Sequence, residues 1–282
     1  MQARRSKINL IHKTPVDFAA LWRTYKEQDD NGRVATEVDL AFWEKAAPDY
    51  DRSHSTYPGI LAELQAIIRP NDTLLDVGAG TGRFALPLAQ YVKSVTALDH
   101  SRAMLNVLSQ KKRRLEIENI EVIEAAWEDA LIEPADVVLA AWSLYRQIDL
   151  LPALQKLIDA TRRTLIIIES DDDAPGYPHH HLVREIWGIP PRQTLSKYLI
   201  FLGALWQLGY QADVRIIYET SHLSSPDAKQ LAQQLAPQQA TPAEISRFMA
   251  GLQPWLSKKH DGWHYSFTHP VEMLFIDFSF RL

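Results

Sequence analysis

Short apolar runs alternate with stretches of helical periodicity along most of the chain, which is how crossover units that build a parallel sheet read. Thr73 to Val77, Ser94 to Leu98, Ile120 to Ile123, Asp136 to Ala140 and Thr164 to Glu169 are predicted as five strands. Leu151, Leu154, Leu157 and Ile158 fall on one face of a helix, with Pro152 near its start, where a missing N–H costs little. Leu195 to Leu208 reads as a further apolar helix ending at Gly209. A strand over Ala212 to Tyr218 and a final strand over Val271 to Phe280 follow. The pattern predicts an α/β fold: a mostly parallel seven-stranded sheet with helices on both faces.

Two segments break the alternation. Phe18 to Ile68 is helical in pattern and includes the aromatic stretch AFWEKAAPDYDRSHSTYPG, which suits a lid. The segment 221–264 is expected to be a helical insertion before the last strand. Ser225-Pro226 and Thr241-Pro242 each look like an N-cap followed by proline, and Thr241 with Glu244 forms a capping box. Ile245, Phe248, Met249 and Leu252 give the second of these helices an apolar face suited to packing on the domain. The organisation read from the chain is an N-terminal helical extension (1–39), a core (40–220), the insertion (221–264) and the last strand of the core (265–282).

Composition narrows the partners. A chain of 282 residues with 46% hydrophobic content can bury one substantial core with embellishments. A formal net charge of −5, with both signs spread evenly, gives no general attraction to nucleic acid or anionic lipid. The basic run Lys111 to Arg114 sits where a helix should end, and cations there offset the helix dipole. There is no cysteine, which excludes disulfides and thiolate zinc sites and suits a reducing compartment. The opening MQARRSKINLIHKTP is too poor in apolar residues for a signal-peptide core, and no run approaches a membrane span. The expectation is a cytoplasmic protein, monomeric or homodimeric, with no nucleic-acid or membrane partner.

The chemistry is carried by LLDVGAGTGRFALPL, residues 74–88: a strand runs into Gly78, Gly80 and Gly82 at alternate positions, leaving bare backbone beside a ligand. A dinucleotide loop would put glycine or alanine where Arg83 stands, and a P-loop would need a Lys-Ser/Thr pair that is absent. Asp99 closes the second strand in VTALDHSRAML, about 20 residues after the loop, at the spacing of a carboxylate that accepts hydrogen bonds from both ribose hydroxyls. Alone, Asp99 reads equally well as a capping carboxylate. Ser101 can cap the helix that holds Met104 and Leu105.

With this loop and its downstream acid, the chain resembles the Rossmann-like, class I S-adenosylmethionine-dependent methyltransferases, in particular their small-molecule group, over roughly residues 40–220 plus the last strand. The resemblance implies that S-adenosylmethionine is the methyl donor. It places Asp76, Gly78, Ala79, Gly80, Gly82, Asp99, His100 and Met104 around the donor, with Asp76 orienting its methionine end. The pattern ending in Tyr50-Asp51 places Tyr50 close to it in a lid. After the third strand the family has an acidic residue where this chain has Ala125-Ala126-Trp127, so adenine contacts are expected from Ala126, Trp127 or Glu128. Trp127 either stacks on the purine or fills the edge of the core.

Methyl transfer from a sulfonium is an in-line displacement, so positioning and water exclusion supply much of the catalysis and no base is obligatory. The acceptor is expected at the end of the fourth strand, beside Trp142, Tyr145 and Arg146, with Arg146 suited to a carboxylate or phosphate. Trp142 also belongs with the donor-site candidates, and these side chains read equally well as a cap on the sheet. His179, His180 and His181 follow Asp171 to Asp173 in what reads as a flexible, polar loop. Three consecutive histidines chelate poorly, so no metal is expected, and His181 is kept as a candidate base. The function read from the sequence is methyl transfer to a small-molecule acceptor. The rivals are an RNA or protein methyltransferase and a non-catalytic S-adenosylmethionine-binding protein of the same fold.

Overall fold

The computed structural model describes residues 16–27, 36–50, 57–170, 178–189, 195–237 and 239–280. In chain order these form α1 (Phe18–Glu27), α2 (Thr36–Ala46), α3 (Pro58–Ile67), β1 (Thr73–Val77), α4 (Ala85–Leu88), β2 (Ser94–Asp99), α5 (Arg102–Arg114), β3 (Ile120–Glu124), β4 (Ala135–Ala141) and α6 (Leu150–Asp159). There follow β5 (Thr161–Glu169), α7 (Pro178–Trp187), α8 (Lys197–Gln207), β6 (Asp213–Ser225), α9 (Ala228–Leu235), α10 (Pro242–Leu252), β7 (Leu256–Lys259) and β8 (Gly262–Asp277).

Seven strands lie in the order β3-β2-β1-β4-β5-β8-β6, and β7 pairs on β8 as an eighth. The pairs from β3 through β5 are parallel, whereas β8 runs antiparallel to both β5 and β6. β1 and β4 are buried along almost their whole length, as strands covered by helices on both faces must be. Alternate residues of β4 divide between two cores. Val138 and Ala140 pack with α1, α6 and α8, and Val137 and Leu139 with α3 and the β1–α5 region. Gly203 on α8 lets α1 approach, because a Cβ there would overlap the Phe18 ring.

The strands expected at 73–77, 94–98, 120–123 and 136–140 are present within a residue or two at their ends, and β5 begins three residues earlier than expected. Asp51 and Asp171 to Asp173 lie outside the described residues.

Three local expectations are corrected. Strand β6 continues to Ser225 and β8 begins at Gly262, so the ends of the segment read as helical are a two-stranded extension of the sheet, in register from Ser221↔Phe267 to Ser225↔Trp263. Period-two burial of Tyr265, Phe267 and His269 drives it, and with α7, α9 and α10 it closes a third, smaller core. The first insertion helix is capped by Asp227, whose Oδ1 accepts from Lys229 N at 2.8 Å, and not by Ser225. His179 to His181 lie in the first turn of α7 and not in a loop, with His179 buried and its Nδ1 2.9 Å from the Tyr265 hydroxyl. The capping box at Thr241 and Glu244 is formed as expected.

Candidate active site

The glycine loop leaves the tip of β1 with Gly78, Gly80 and Gly82 all at positive φ, at +77°, +56° and +84°. This alternation delays regular helix until Ala85, so the helix after the loop is the short α4 with turns before it. The amides of Gly78 and Ala79 donate to Leu98 O at 2.7 and 3.0 Å, and that of Gly80 donates to Asp99 Oδ2 at 2.8 Å. Asp99 Oδ1 accepts from Ser101 N at 2.8 Å, and Ser101 Oγ caps α5 through Met104 N. A single carboxylate thus joins the tip of β2, the loop and the start of α5. Burial raises the Asp99 carboxyl above its ordinary range, against the stabilising N–H groups of Ser101 and Gly80.

A cleft opens over this junction, lined by Asp76, Gly78, Ala79, Gly80, Asp99, His100, Met104, Tyr50, Trp142, Tyr145 and Arg146 among others. Eleven expected site residues, drawn from four separate stretches of chain, therefore meet in one place. Gly82 is not among the lining residues: a Cβ there would press on Leu86 and Leu108, so its absence serves packing beneath the loop.

The residues after β3 do not line this cleft; Trp127 and Glu128 line a second cavity, which shares Arg146 with it. Trp127 is buried in the core with α6, its indole N–H donating to Ala153 O at 3.4 Å and the Lys156 ammonium over its ring, so of its two readings the packing one matches the structure. Glu128 accepts from Gln147 Nε2 at 3.1 Å, and Ala126 O accepts from the amides of Asp129 and Ala130. His181 is exposed on α7 and does not line the cleft. Among the described residues no group of His, Asp or Glu is arranged to hold a metal ion.

Asp39, on the inner face of α2, was not singled out from the sequence and is the centre of the lid contact. Its Oδ1 accepts from Tyr145 OH at 2.8 Å and Trp43 Nε1 at 3.1 Å, and its Oδ2 lies 2.7 Å from His100 Nε2 and 3.4 Å from Arg146 Nε. Burial pushes its carboxyl up, but the hydrogen bonds and charges of His100, Tyr145 and Arg146 outweigh that and hold it below the usual carboxylate range. Burial and the Asp39 charge push the Tyr145 hydroxyl far above the ordinary tyrosine range. Tyr145 is thereby a hydrogen-bond donor that ties the end of β4 to α2. Only the spacing of Asp39 and Trp43, one helical turn apart, hints at this from the sequence. Asp39→Ala is expected to lower stability by about 2–4 kcal/mol in chemical denaturation, because three donors lose one buried acceptor. Asp39→Asn should lose less, and equal stability of Asp39→Ala and wild type would show that the network contributes nothing.

Asp76, beneath the loop, is fully buried and its carboxyl is pushed up to about 7, first by burial and then by the Asp99 charge, against the Ala85 amide and Arg83. Because its ordinary value is 3.8, the folded chain keeps a proton that the unfolded chain has lost as pH rises from about 4 to 7. Stability therefore falls across that window, by at most about 1.4 kcal/mol per pH unit, and is flat with respect to this group above it. Asp76→Asn should remove the slope: the difference in melting temperature between variant and wild type is expected to grow between pH 5 and pH 7, and a constant difference would contradict the shift.

The β4 tip is strained. Trp142 has φ +49°, and its ring stacks near Tyr57 (4.7 Å between centroids) and Phe84, with its Nε1 donating to Ser170 Oγ at 2.9 Å. A non-glycine residue in this conformation costs on the order of 1 kcal/mol and persists where its surroundings fix a side chain over a site.

The strand order, the antiparallel β8 and a glycine loop facing an acid at the tip of β2 are those of the class I, Rossmann-like methyltransferase fold. Residues 74–165 match the methyltransferase domain family. The chain is 30% identical over 159 residues to an uncharacterised protein from Haemophilus influenzae, covering 55% of this chain and 57% of that one. It is 36% identical over 66 residues, 23% of each chain, to a probable ribosomal RNA small subunit methyltransferase A from Methanosphaera stadtmanae, a match too short to carry information on an acceptor. The chain thus spans between about a quarter and little more than half of the length of these curated relatives. Among solved structures, the YcgJ protein from Bacillus subtilis shares the fold with a TM-score of 0.51 at 17% identity, over 77% of this chain and 97% of that one.

Proposed function

We propose that this protein is an S-adenosylmethionine-dependent methyltransferase that acts on a small-molecule acceptor. The observation that carries the reading is the Asp99 carboxylate, which lines the cleft while its two oxygens hold the glycine loop and the start of α5 in place. The residues present suit the donor. Asp99 offers a charged acceptor to ribose hydroxyls, Gly78 to Gly80 present backbone without side chains, and Met104 supplies an apolar surface for the purine. When bound, the donor supplies an electrophilic methyl group.

The chain's own contribution is then positioning and water exclusion. Helix α2, held by Asp39 to His100, Tyr145 and Arg146, closes one side of the cleft, and Trp142, Tyr50 and Trp43 supply aromatic walls. Tyr145 and Arg146 act here as positioning residues. A small acceptor fits the overall charge of −5 and the use of the basic run on α5, where Lys111 Nζ donates to Thr81 O at 2.8 Å and Lys112 Nζ to Ile120 O at 2.5 Å. Those cations close the helix end and brace the loop, as a nucleic-acid surface would not require.

The test is calorimetric titration with S-adenosylmethionine and S-adenosylhomocysteine, followed by a methyl-transfer assay on a fractionated small-molecule extract. Micromolar binding with acceptor-dependent turnover is the expected result. Turnover only with RNA or protein would transfer the reading to another acceptor class, and binding without any turnover would leave a non-catalytic binding protein.

A further inference from the structure

Arg83 has no part in the loop's own hydrogen bonding. Its guanidinium stands 5.2 Å from the ring centre of Tyr50, 5.1 Å from that of Tyr57 and 5.5 Å from that of Trp142. The residue lines the cleft, and its Nη2 is buried without a hydrogen-bond partner. Ser143, the next residue after Trp142, lines the same cleft, and its Oγ is likewise buried without a partner. No ion pair joins Arg83 to a carboxylate among the described residues, although Asp76 lies close enough for its carboxyl to be influenced by the Arg83 charge.

The three aromatic rings attract the guanidinium but offer its buried Nη2 no acceptor in their plane, and a planar oxyanion can supply one. Buried donors without partners each cost roughly 1–3 kcal/mol, so two of them converging on one cleft point to a ligand that satisfies both. An anionic ligand suits the site, because no carboxylate among the described residues pairs directly with this cation, and it must be compact enough to reach between the rings. A carboxylate meets both demands: one oxygen or both accept from the Arg83 fork, and the Ser143 hydroxyl donates the further bond.

We propose that Arg83, with Ser143, is a carboxylate-binding site inside the cleft, and that this site sets which ligands the protein accepts. The inference rests on the methyltransferase reading and assigns the carboxylate to the acceptor, because Trp142 and Ser143 stand just beyond the end of β4, where the acceptor is expected. The acceptor is then an aromatic or similarly flat carboxylic acid.

The experiment titrates wild type, Arg83→Gln, Arg83→Lys and Ser143→Ala with three probes: S-adenosylhomocysteine, its decarboxylated analogue, and benzoate in the presence and absence of saturating S-adenosylhomocysteine. Thermal unfolding accompanies each variant, and Arg83→Lys keeps the charge while losing the fork, so folding and recognition are read separately. The expected result is that S-adenosylhomocysteine affinity is unchanged and that benzoate binding, present in wild type, is lost in Arg83→Gln and weakened in Arg83→Lys and Ser143→Ala. An Arg83→Gln protein that binds S-adenosylhomocysteine on the order of tenfold or more weakly, with the decarboxylated analogue unchanged, overturns the acceptor assignment, because Arg83 then serves the donor. A folded Arg83→Gln that binds all three probes as wild type does overturns the carboxylate site while leaving the methyltransferase reading intact. Wild type that binds benzoate through Arg83 but no S-adenosylhomocysteine overturns the methyltransferase reading and keeps the site. Wild type that binds none of the probes overturns both.

Discussion

Gly78→Ala is expected to abolish detectable S-adenosylhomocysteine binding and to destabilise the fold by about 2–5 kcal/mol. Two costs combine there. Residue 78 has φ +77°, where an L side chain is strained by roughly 1–2 kcal/mol, and the new Cβ would overlap the Cβ of Ser143. Relief of that overlap requires the loop to move away from the β4 tip, and overpacking of this kind typically adds about 1–3 kcal/mol. Movement would also stretch the 2.7 Å bond from Gly78 N to Leu98 O, which sets the loop against β2. Calorimetry and thermal unfolding check this directly. The double variant Gly78→Ala/Ser143→Gly removes the overlap but keeps the backbone strain, and it should recover part of the stability. Wild-type affinity in Gly78→Ala would show that close approach of the loop to β4 has no part in ligand binding.

Asp99→Ala is the second large effect. The loss removes the carboxylate proposed for the ribose and leaves the amides of Gly80 and Ser101 without their acceptor. Hydrogen bonds to a charged group contribute about 1.5–3 kcal/mol each, so two ribose bonds correspond to a loss in S-adenosylhomocysteine affinity on the order of a hundredfold or more. Asp99→Asn keeps one oxygen acceptor and should fall between the two. The measurement is the dissociation constant of each variant, with chemical denaturation run in parallel to separate loop disorder from lost ligand contact. An Asp99→Ala protein that unfolds like wild type and binds within threefold of it would remove this residue from the site.

The two changes probe the part of the molecule that was most legible in the sequence. Strands β1 to β4 are short runs bounded by turns, and their positions in the chain follow from local pattern. The glycines at 78, 80 and 82 announce left-handed backbone because few other residues tolerate it, and the interval to Asp99 is the length of one crossover and one strand. The insertion was less legible. Ser221 to Ser225 and Trp263 to Phe267 alternate polar and buried residues, yet each is short, and they become strands only because they meet each other across a long intervening segment. Trp127 shows the same limit in one side chain: aromatic character suits a purine face and a core equally, and only the fold brings it to the Ala153 carbonyl and Lys156 on α6.

The sequence by itself determined the fold class, the loop and the acid that faces it, because each depends on conformations or periods that a few adjacent residues impose. Only the tertiary structure decided the rest. Asp39 meets His100, Tyr145 and Arg146, and Arg83 enters a ring of aromatic side chains from Tyr50, Tyr57 and Trp142, through contacts between residues far apart in the chain. Such contacts arise where the ends of β1, β2 and β4 and helix α2 converge, and no local pattern records which distant side chain will arrive there.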